Sequence, residues 1–213
     1  MTDRKLALKF YFIRHGESEA NSLNLLSNNP DSPYGLTVNG RRQTESAAAK
    51  IRGIEFTEFH TSPTPRALET ASILKSHAGL PDYSVDLRLT EYGVGIYEGK
   101  GDPESWEKNN ELWRDWFFHD KTESRFPGGE SLNDLVGRFR GWLESVAGRH
   151  GSRDANILAV SHGGLLCAVL PFVLNNITVE YSFHHHISNA SLVIAETSPD
   201  GIRCTTWSGE RID

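Results

Sequence analysis

The sequence has little cysteine, no long apolar run and a deficit of positive charge. Two cysteines, Cys167 and Cys204, are too few for a disulfide framework or for a zinc site built on cysteine, and Cys167 reads as a small core residue. No stretch approaches the ~20 apolar residues that cross a bilayer. The longest, Leu165 to Leu174, is interrupted by Pro171. The opening MTDRKLALKFYFIRHGES returns to polar residues too soon for a signal peptide, so a soluble, cytoplasmic protein is expected. Lys plus Arg number 22 against 28 Asp plus Glu, a formal charge of −6. That balance argues against nucleic-acid binding and against an anionic membrane surface, because neither finds a basic face here. Any anionic ligand must be held by a local cluster of cations. With neither internal repeat nor low-complexity linker, residues 1–213 read as a single domain carrying an insertion at about 100–127. At 38% hydrophobic and 23% charged, the chain can bury a sizeable core.

Strand and helix signals alternate along it. Leu6 to Ile13 is a short β-branched and aromatic run that enters the polar turn Arg14-His15-Gly16-Glu17-Ser18. Residues 22–36 form a loop, and Thr37 is an N-cap for a helix to about Arg52. Ile54 to His60 suggests a second strand, followed by a helix with Ser62 as N-cap and Pro63 in first position, ending near His77. Tyr83 to Leu89 suggests a third strand. Ser131 with Asp134 resembles a capping box before the helical stripe Leu135, Val136, Phe139, Trp142, Leu143 and Val146. Asn156 to Val160 is a buried strand running into Ser161-His162-Gly163-Gly164, and Ser191–Glu196 with Ile202–Trp207 form a closing pair. The expected architecture is α/β: a three-layer α/β/α sandwich with a mostly parallel central sheet. Polar residues stand at three strand-to-helix junctions, Arg14/His15, Ser62/Arg66 and His162. Strand ends beside helix N-termini favour anions, and two arginines with two histidines there would match a phosphate group.

Arg14-His15-Gly16-Glu17-Ser18 followed by Asn21 resembles the signature of the histidine phosphatase superfamily, the phosphoglycerate-mutase-like proteins. Four further stretches fit in order: Leu36-Thr37 with Gly40 and Gln43; Ser62-Pro63 with Arg66-Ala67 and Thr70-Ala71; Leu89 and Glu91 with Gly95 and Glu98-Gly99; and Ser161-His162-Gly163-Gly164. Tyr97 stands where the family often has Trp. The resemblance implies that His15 is the nucleophile, attacking phosphorus as a neutral imidazole to form a phosphohistidine. It implies that Arg14 and Arg66 grip the non-bridging oxygens, and that His162 donates to another of them beside Gly163. Glu91 would protonate the leaving alkoxide and then activate water, its pKa raised by the neighbouring phosphate. Glu98 is the residue most easily mistaken for that acid. Asn21 and Glu17 are assigned to support at the phosphate's edge. No metal and no cofactor are required, since the arginines supply the positive charge.

Each assignment has a plainer alternative: His15 as a turn histidine, Arg66 paired with Glu69 on a helix surface, His162 as a helix cap against Ser161, Glu91 as a solvated glutamate. The segment from Lys100 to Pro127 holds Trp106, Trp113 and Trp116 with Phe117, Phe118 and Phe126. Trp106, Trp113 and Phe117 recur at helical spacing, so a helix is expected to roof the site, and its aromatics to touch the substrate. The segment carries seven acidic and five basic residues and no Trp-Arg-Arg cluster of the kind that resemblance to the mutases would require. The expected function is therefore a metal-independent phosphomonoester hydrolase acting on a small phosphorylated metabolite. The alternatives are mutase-type phosphoryl transfer or a non-catalytic phosphoryl-binding module. His184-His185-His186 reads as an exposed loop or strand edge before Ser188-Asn189-Ala190 rather than a metal site, since consecutive side chains diverge. A homodimer through an edge strand or the aromatic segment is left open.

Overall fold

The computed structural model describes residues 8–150 and 153–212. In chain order the elements are β1 (Leu8–Arg14), α1 (Glu19–Ser22), α2 (Val38–Ile51), β2 (Glu58–Thr61), α3 (Pro65–Ala78), β3 (Ser84–Val85), α4 (Pro103–Phe118), α5 (Leu132–His150), β4 (Ala155–Ser161), α6 (Gly163–Val169), α7 (Val179–His184), β5 (Leu192–Ser198), β6 (Gly201–Trp207) and β7 (Glu210–Arg211). The strands form one sheet in the order β3-β2-β4-β1-β5-β6-β7. β3, β2, β4 and β1 run parallel, and β5 to β7 add an antiparallel ribbon beyond β1.

Alternation along the two central strands builds the layers. Phe10 and Phe12 of β1 and Ile157 and Ala159 of β4 pack with the α5 and α6 residues Phe139, Trp142 and Leu166. Tyr11, Ile13, Leu158 and Val160 point the other way, onto Ala47 and Ile51 of α2 and Ala71 of α3. The result is the expected sandwich, helices on both faces of the sheet. All six residues of the α5 stripe are buried, and Trp142 lies against Phe12 at 6.0 Å and Phe139 at 5.7 Å between ring centroids.

Boundaries differ where local chemistry competes. The expected first strand starts at Leu6, which lies outside the described residues. The helix expected from Ser62-Pro63 begins one Ser/Thr-Pro pair later, with Thr64 as N-cap and Pro65 in the first turn. Thr64 makes no side-chain cap bond, and the Ser62 hydroxyl accepts from His162 Nε2 at 2.7 Å. Of the strand expected over Tyr83–Leu89, only Ser84–Val85 pairs. Asp86 turns the chain into a 3-10 helix over Leu87–Leu89 by accepting from the Arg88 amide, at 2.9 Å. The Ser131/Asp134 capping box is present in both directions, Ser131 N donating to Asp134 Oδ2 and Asp134 N to Ser131 Oγ. Residues 103–118 of the insertion are helical, with Asp102 accepting from the Ser105 amide at 3.0 Å.

Glu58 fastens the start of β2 to the end of α5. Its Oε1 accepts from Arg149 Nε at 3.0 Å and His150 Nε2 at 2.7 Å, and its Oε2 from Arg149 Nη2 and His60 Nε2, each at 2.6 Å. The Arg149 guanidinium, helped by both histidines, holds the Glu58 carboxyl at about 2 against an ordinary 4.5. Glu58→Gln is expected to lower stability by roughly 1–3 kcal/mol at neutral pH. The folded carboxyl binds its proton less readily than the unfolded one. Its contribution is therefore full above 4.5 and fades as pH falls toward 2. Denaturation midpoints of wild type and variant should converge over that interval; a constant gap would place the stabilisation elsewhere.

Candidate active site

β1, β4 and β2 end side by side, which brings His15, His162 and Ser62 to one edge of the sheet. The His15 amide donates to Ser161 O and the Ser62 amide to Val160 O, both at 3.0 Å. His15 and His162 thereby stand with ring centroids 5.1 Å apart. Arg66 enters from the first turn of α3, and Glu91 from the loop that follows the 3-10 turn at Leu87–Leu89. Arg14, His15, Asn21, Arg66, Glu91 and Gly163 line one cavity of about 390 Å³. Of the residues expected at the site, His162 does not line it and instead stands behind Arg66.

The bonding of His15 fixes its tautomer. Nδ1 lies 2.7 Å from Gly16 O, which can only accept, so Nδ1 carries the hydrogen. Nε2 accepts from Arg66 Nε at 3.1 Å, so its lone pair faces the arginine side of the cavity. Burial first, then Arg66 and Arg14, hold the imidazole well below its ordinary pKa. His15 is thus neutral with Nε2 unprotonated, as an attacking nitrogen must be.

Both arginines are buried and aimed. Arg66 Nη2 donates to Ser27 O at 2.7 Å, and Arg14 Nη1 to Ile187 O at 2.8 Å. Arg66 Nη1 and Arg14 Nε are buried N–H groups with no hydrogen-bond partner among the described residues. Unpaired buried donors are costly, and two of them on cations beside one cavity describe a cradle for an anion's oxygens. Arg66 does not pair with Glu69, whose carboxylate takes Arg41 instead.

His162 departs from expectation. Its Nδ1 sits 3.3 Å from Arg66 Nη2, a group that can only donate, so Nδ1 accepts. The ring hydrogen is then on Nε2, which donates to Ser62 Oγ at 2.7 Å. In this arrangement His162 positions Arg66 and offers no N–H to the cavity. To donate to an oxyanion, its proton would have to move to Nδ1, with the Ser62 hydroxyl turning to donate to Nε2. Nor is it a capping side chain, since α6 has no side-chain cap hydrogen bond.

Glu91 is buried at the N-terminus of α6. Its carboxylate accepts from the amides of Gly164, Leu165 and Tyr92. Burial nevertheless dominates and raises its pKa above the ordinary carboxylate value. The expected elevation is therefore built into the protein before any phosphate arrives. Gly164 is required here, because a Cβ would collide with Tyr92 and with the Glu91 carboxylate itself. Glu98 faces away, and both its oxygens accept from the Asn28 amide at 3.0 Å.

The remaining expected residues divide. Asn21 Oδ1 accepts from Ser18 N and from Asn189 Nδ2, each at 3.2 Å, and Asn189 also donates to His15 O. Glu17 does not reach the cavity: its carboxylate accepts from Thr37 Oγ1 at 2.6 Å and Asn39 Nδ2 at 3.1 Å, at the start of α2. Gln43 Oε1 accepts from the Glu17 amide at 2.9 Å, and a Cβ on Gly40 would strike the Glu17 backbone. The Leu36–Gln43 block therefore braces the Arg14–Glu17 turn. Thr70 does the same from α3, accepting from Gly16 N at 3.2 Å. Three contributors went unseen in the sequence: the Ser27 carbonyl, the Ser62 hydroxyl, and Arg138 of α5, which donates to Arg88 O at 2.6 Å and to Glu91 O at 3.3 Å. Only Ser62 had a signal, its place with Arg66 at a strand-to-helix junction, three residues before a helix that begins at Pro65.

The far wall is aromatic. Trp106 and Trp113 of α4 and Phe183 of α7 line the cavity with Tyr92. The three consecutive histidines diverge: His185 Nδ1 donates to Tyr181 O at 2.8 Å, His184 lies edge-on to Phe183, and His186 reaches the cavity mouth. Among the described residues no three His, Cys, Asp or Glu side chains meet as a metal-binding group, and no helix is long and apolar enough to cross a membrane.

A neutral imidazole flanked by two cations, with a carboxyl of raised pKa in the same cavity, can bind a phosphoryl group, attack it and supply a proton. Residues 10–209 match the histidine phosphatase superfamily (branch 1). The Salmonella choleraesuis protein named "Probable phosphoglycerate mutase GpmB" is 32% identical over 168 residues, covering 78% of this chain and 75% of its own. A mycobacterial glucosyl-3-phosphoglycerate phosphatase superposes with a TM-score of 0.80 at 22% identity, covering 96% of this chain and 100% of its own. The alpha-ribazole phosphatase of Shigella flexneri does so at 0.75 and 21%, covering 96% and 98%.

Proposed function

The chain belongs to the histidine phosphatase superfamily, and on that footing we propose that it is a phosphomonoester hydrolase working through a phosphohistidine on His15. The observation that carries this reading is the set of unpaired, buried Arg14 and Arg66 N–H groups beside His15 Nε2, an unprotonated nitrogen whose lone pair is held by Arg66 Nε. Arg14 and Arg66 take the phosphoryl oxygens, and Arg66 leaves Nε2 as it does so. Nε2 attacks phosphorus in line as the bond to the ester oxygen breaks, and the Glu91 carboxyl passes its proton to the departing alkoxide. Glu91, now a carboxylate, takes a proton from water as the water oxygen attacks phosphorus. The P–N bond breaks, phosphate leaves, and both residues return to their starting states. The arginines offset the charge that develops in both steps, so the reaction needs no metal ion.

The 32% identical relative favours a second reading, in which the phosphoryl group passes to another hydroxyl and not to water. One experiment separates the two. Inorganic phosphate release is measured from a panel of alkyl phosphates with and without chelator, alongside interconversion of 2- and 3-phosphoglycerate primed with 2,3-bisphosphoglycerate. Chelator-insensitive release without interconversion is expected. Interconversion faster than release would establish the mutase reading.

A further inference from the structure

The cavity limits what can hang from the phosphorus. Among the described residues lining it, Arg14 and Arg66 are the only cations, and a phosphate dianion matches them charge for charge. The basic side chains of α4 are committed elsewhere: Lys108 to Glu111 at 2.8 Å and Arg114 to Glu107 at 3.0 Å. His186 at the mouth is pushed below its ordinary pKa by burial and by Arg14, so it adds no charge at neutral pH. A carboxylate or second phosphate on the substrate would therefore lie uncompensated against an apolar wall.

That wall is Leu25, Leu26, Trp106, Trp113, Phe183 and Ile187. Its aromatics are tied to their neighbours. Trp106 Nε1 donates to Asn24 O at 2.9 Å, and Trp113 is held edge-on by Tyr92 at 5.7 Å and Phe117 at 5.3 Å. Phe183 sits 5.0 Å from Phe118. Aromatic side chains tied to their neighbours in this way offer a flat ring an apolar surface at a reduced ordering cost. Asn109 and Asn110 line the cavity beside it, and Asn109 Oδ1 accepts from Tyr92 OH at 2.9 Å, which leaves its amide N–H groups as donors.

We propose that the substrate is the monophosphate ester of an uncharged alcohol bearing an aromatic ring, the ring held between Trp106, Trp113 and Phe183. This rests on the hydrolase reading for its chemistry but not for its binding. Three primary alkyl phosphates with comparable leaving groups test it: 2-phenylethyl phosphate, glycerol 3-phosphate and 3-phosphoglycerate. Their affinities are measured by calorimetry on His15→Ala, and kcat/KM on the wild type. The phenylethyl ester is expected to bind about tenfold tighter than glycerol 3-phosphate, and 3-phosphoglycerate about tenfold weaker again, each step worth about 1.4 kcal/mol. Trp113→Ala should erase the first step. Asn110→Lys, on the exposed rim, should narrow the second by giving the carboxylate a partner, and it decides the matter if Trp113→Ala does not fold. The expected order without turnover sustains this proposal and sinks the hydrolase reading. Turnover with 3-phosphoglycerate bound as tightly as the phenylethyl ester does the reverse, and an aromatic preference that survives Trp113→Ala overturns the proposed seat of the ring.

Discussion

His15→Ala lowers phosphate release from an alkyl phosphate by about 10⁴-fold or more, while KM changes by less than about tenfold. The split follows from the bonding. The side chain removed supplies the attacking lone pair, so nothing in the variant can form the P–N bond. The arginines that hold the phosphate keep their anchors, Arg66 on Ser27 O and Arg14 on Ile187 O, and neither depends on residue 15. Arg66 Nε loses its acceptor and becomes one more free donor for the anion. Ground-state binding should therefore survive, and any residual rate is attack by water on a phosphate the arginines still polarise.

A rate loss alone would also follow from a collapsed turn, so the decisive readout is covalent. Wild type quenched during turnover of a phosphoryl-labelled ester should carry label that is stable in base and lost in acid, as a P–N bond is. The alanine variant should carry none. Label on the variant, or more than about a tenth of wild-type activity, would move the nucleophile elsewhere and leave His15 as a residue that shapes the turn.

The parts of this site that were legible are those whose logic is local. Arg14-His15-Gly16 is contiguous and follows a short apolar run, Phe10 to Ile13, that is buried throughout, as a central strand covered on both faces is. The α5 stripe repeats at helical spacing, and Thr37 caps the next residues in the chain. What was hidden depends on contacts across long sequence separations. Ser62 and His162 meet over 100 residues, Ser27 O and Arg66 over 39, Arg138 and Glu91 over 47. No window of sequence contains both partners. The same blindness misassigned Ser62: a Ser-Pro pair is a good helix start, and so is the Thr-Pro pair after it. The two pairs look alike in sequence, and the Ser62 hydroxyl meets His162, a residue 100 positions away. Glu17 and Glu98 were ambiguous for the same reason, because carboxylates a few residues from the catalytic ones look alike until their partners are known. Each proves to be structural, Glu17 taking the Thr37 and Asn39 side chains at the start of α2 and Glu98 the Asn28 amide.

Glu91→Gln should cost about 10²- to 10⁴-fold in kcat for an alkyl phosphate, and the pH profile should say why. Phosphoryl transfer as proposed needs His15 unprotonated and Glu91 protonated. His15 is held well below its ordinary pKa, so its requirement is met into the acid range. Glu91 is raised by burial, so its proton persists above the usual carboxylate value and is lost as pH climbs through the raised one. Wild-type kcat/KM should therefore be bell-shaped with its optimum on the acid side of neutrality, the falling alkaline limb belonging to Glu91. Glutamine removes that limb. It also makes the rate depend on the leaving group: 4-nitrophenolate departs without a proton, so the variant should release one equivalent in a burst. It should then turn over slowly, because no carboxylate remains to deprotonate the water. Glutamine nearly preserves shape but places an NH₂ where one carboxylate oxygen accepts from the amides of α6, so some loss of thermal stability is expected. That loss cannot imitate the result, since a loosened helix would slow both esters alike and leave the alkaline limb where it was.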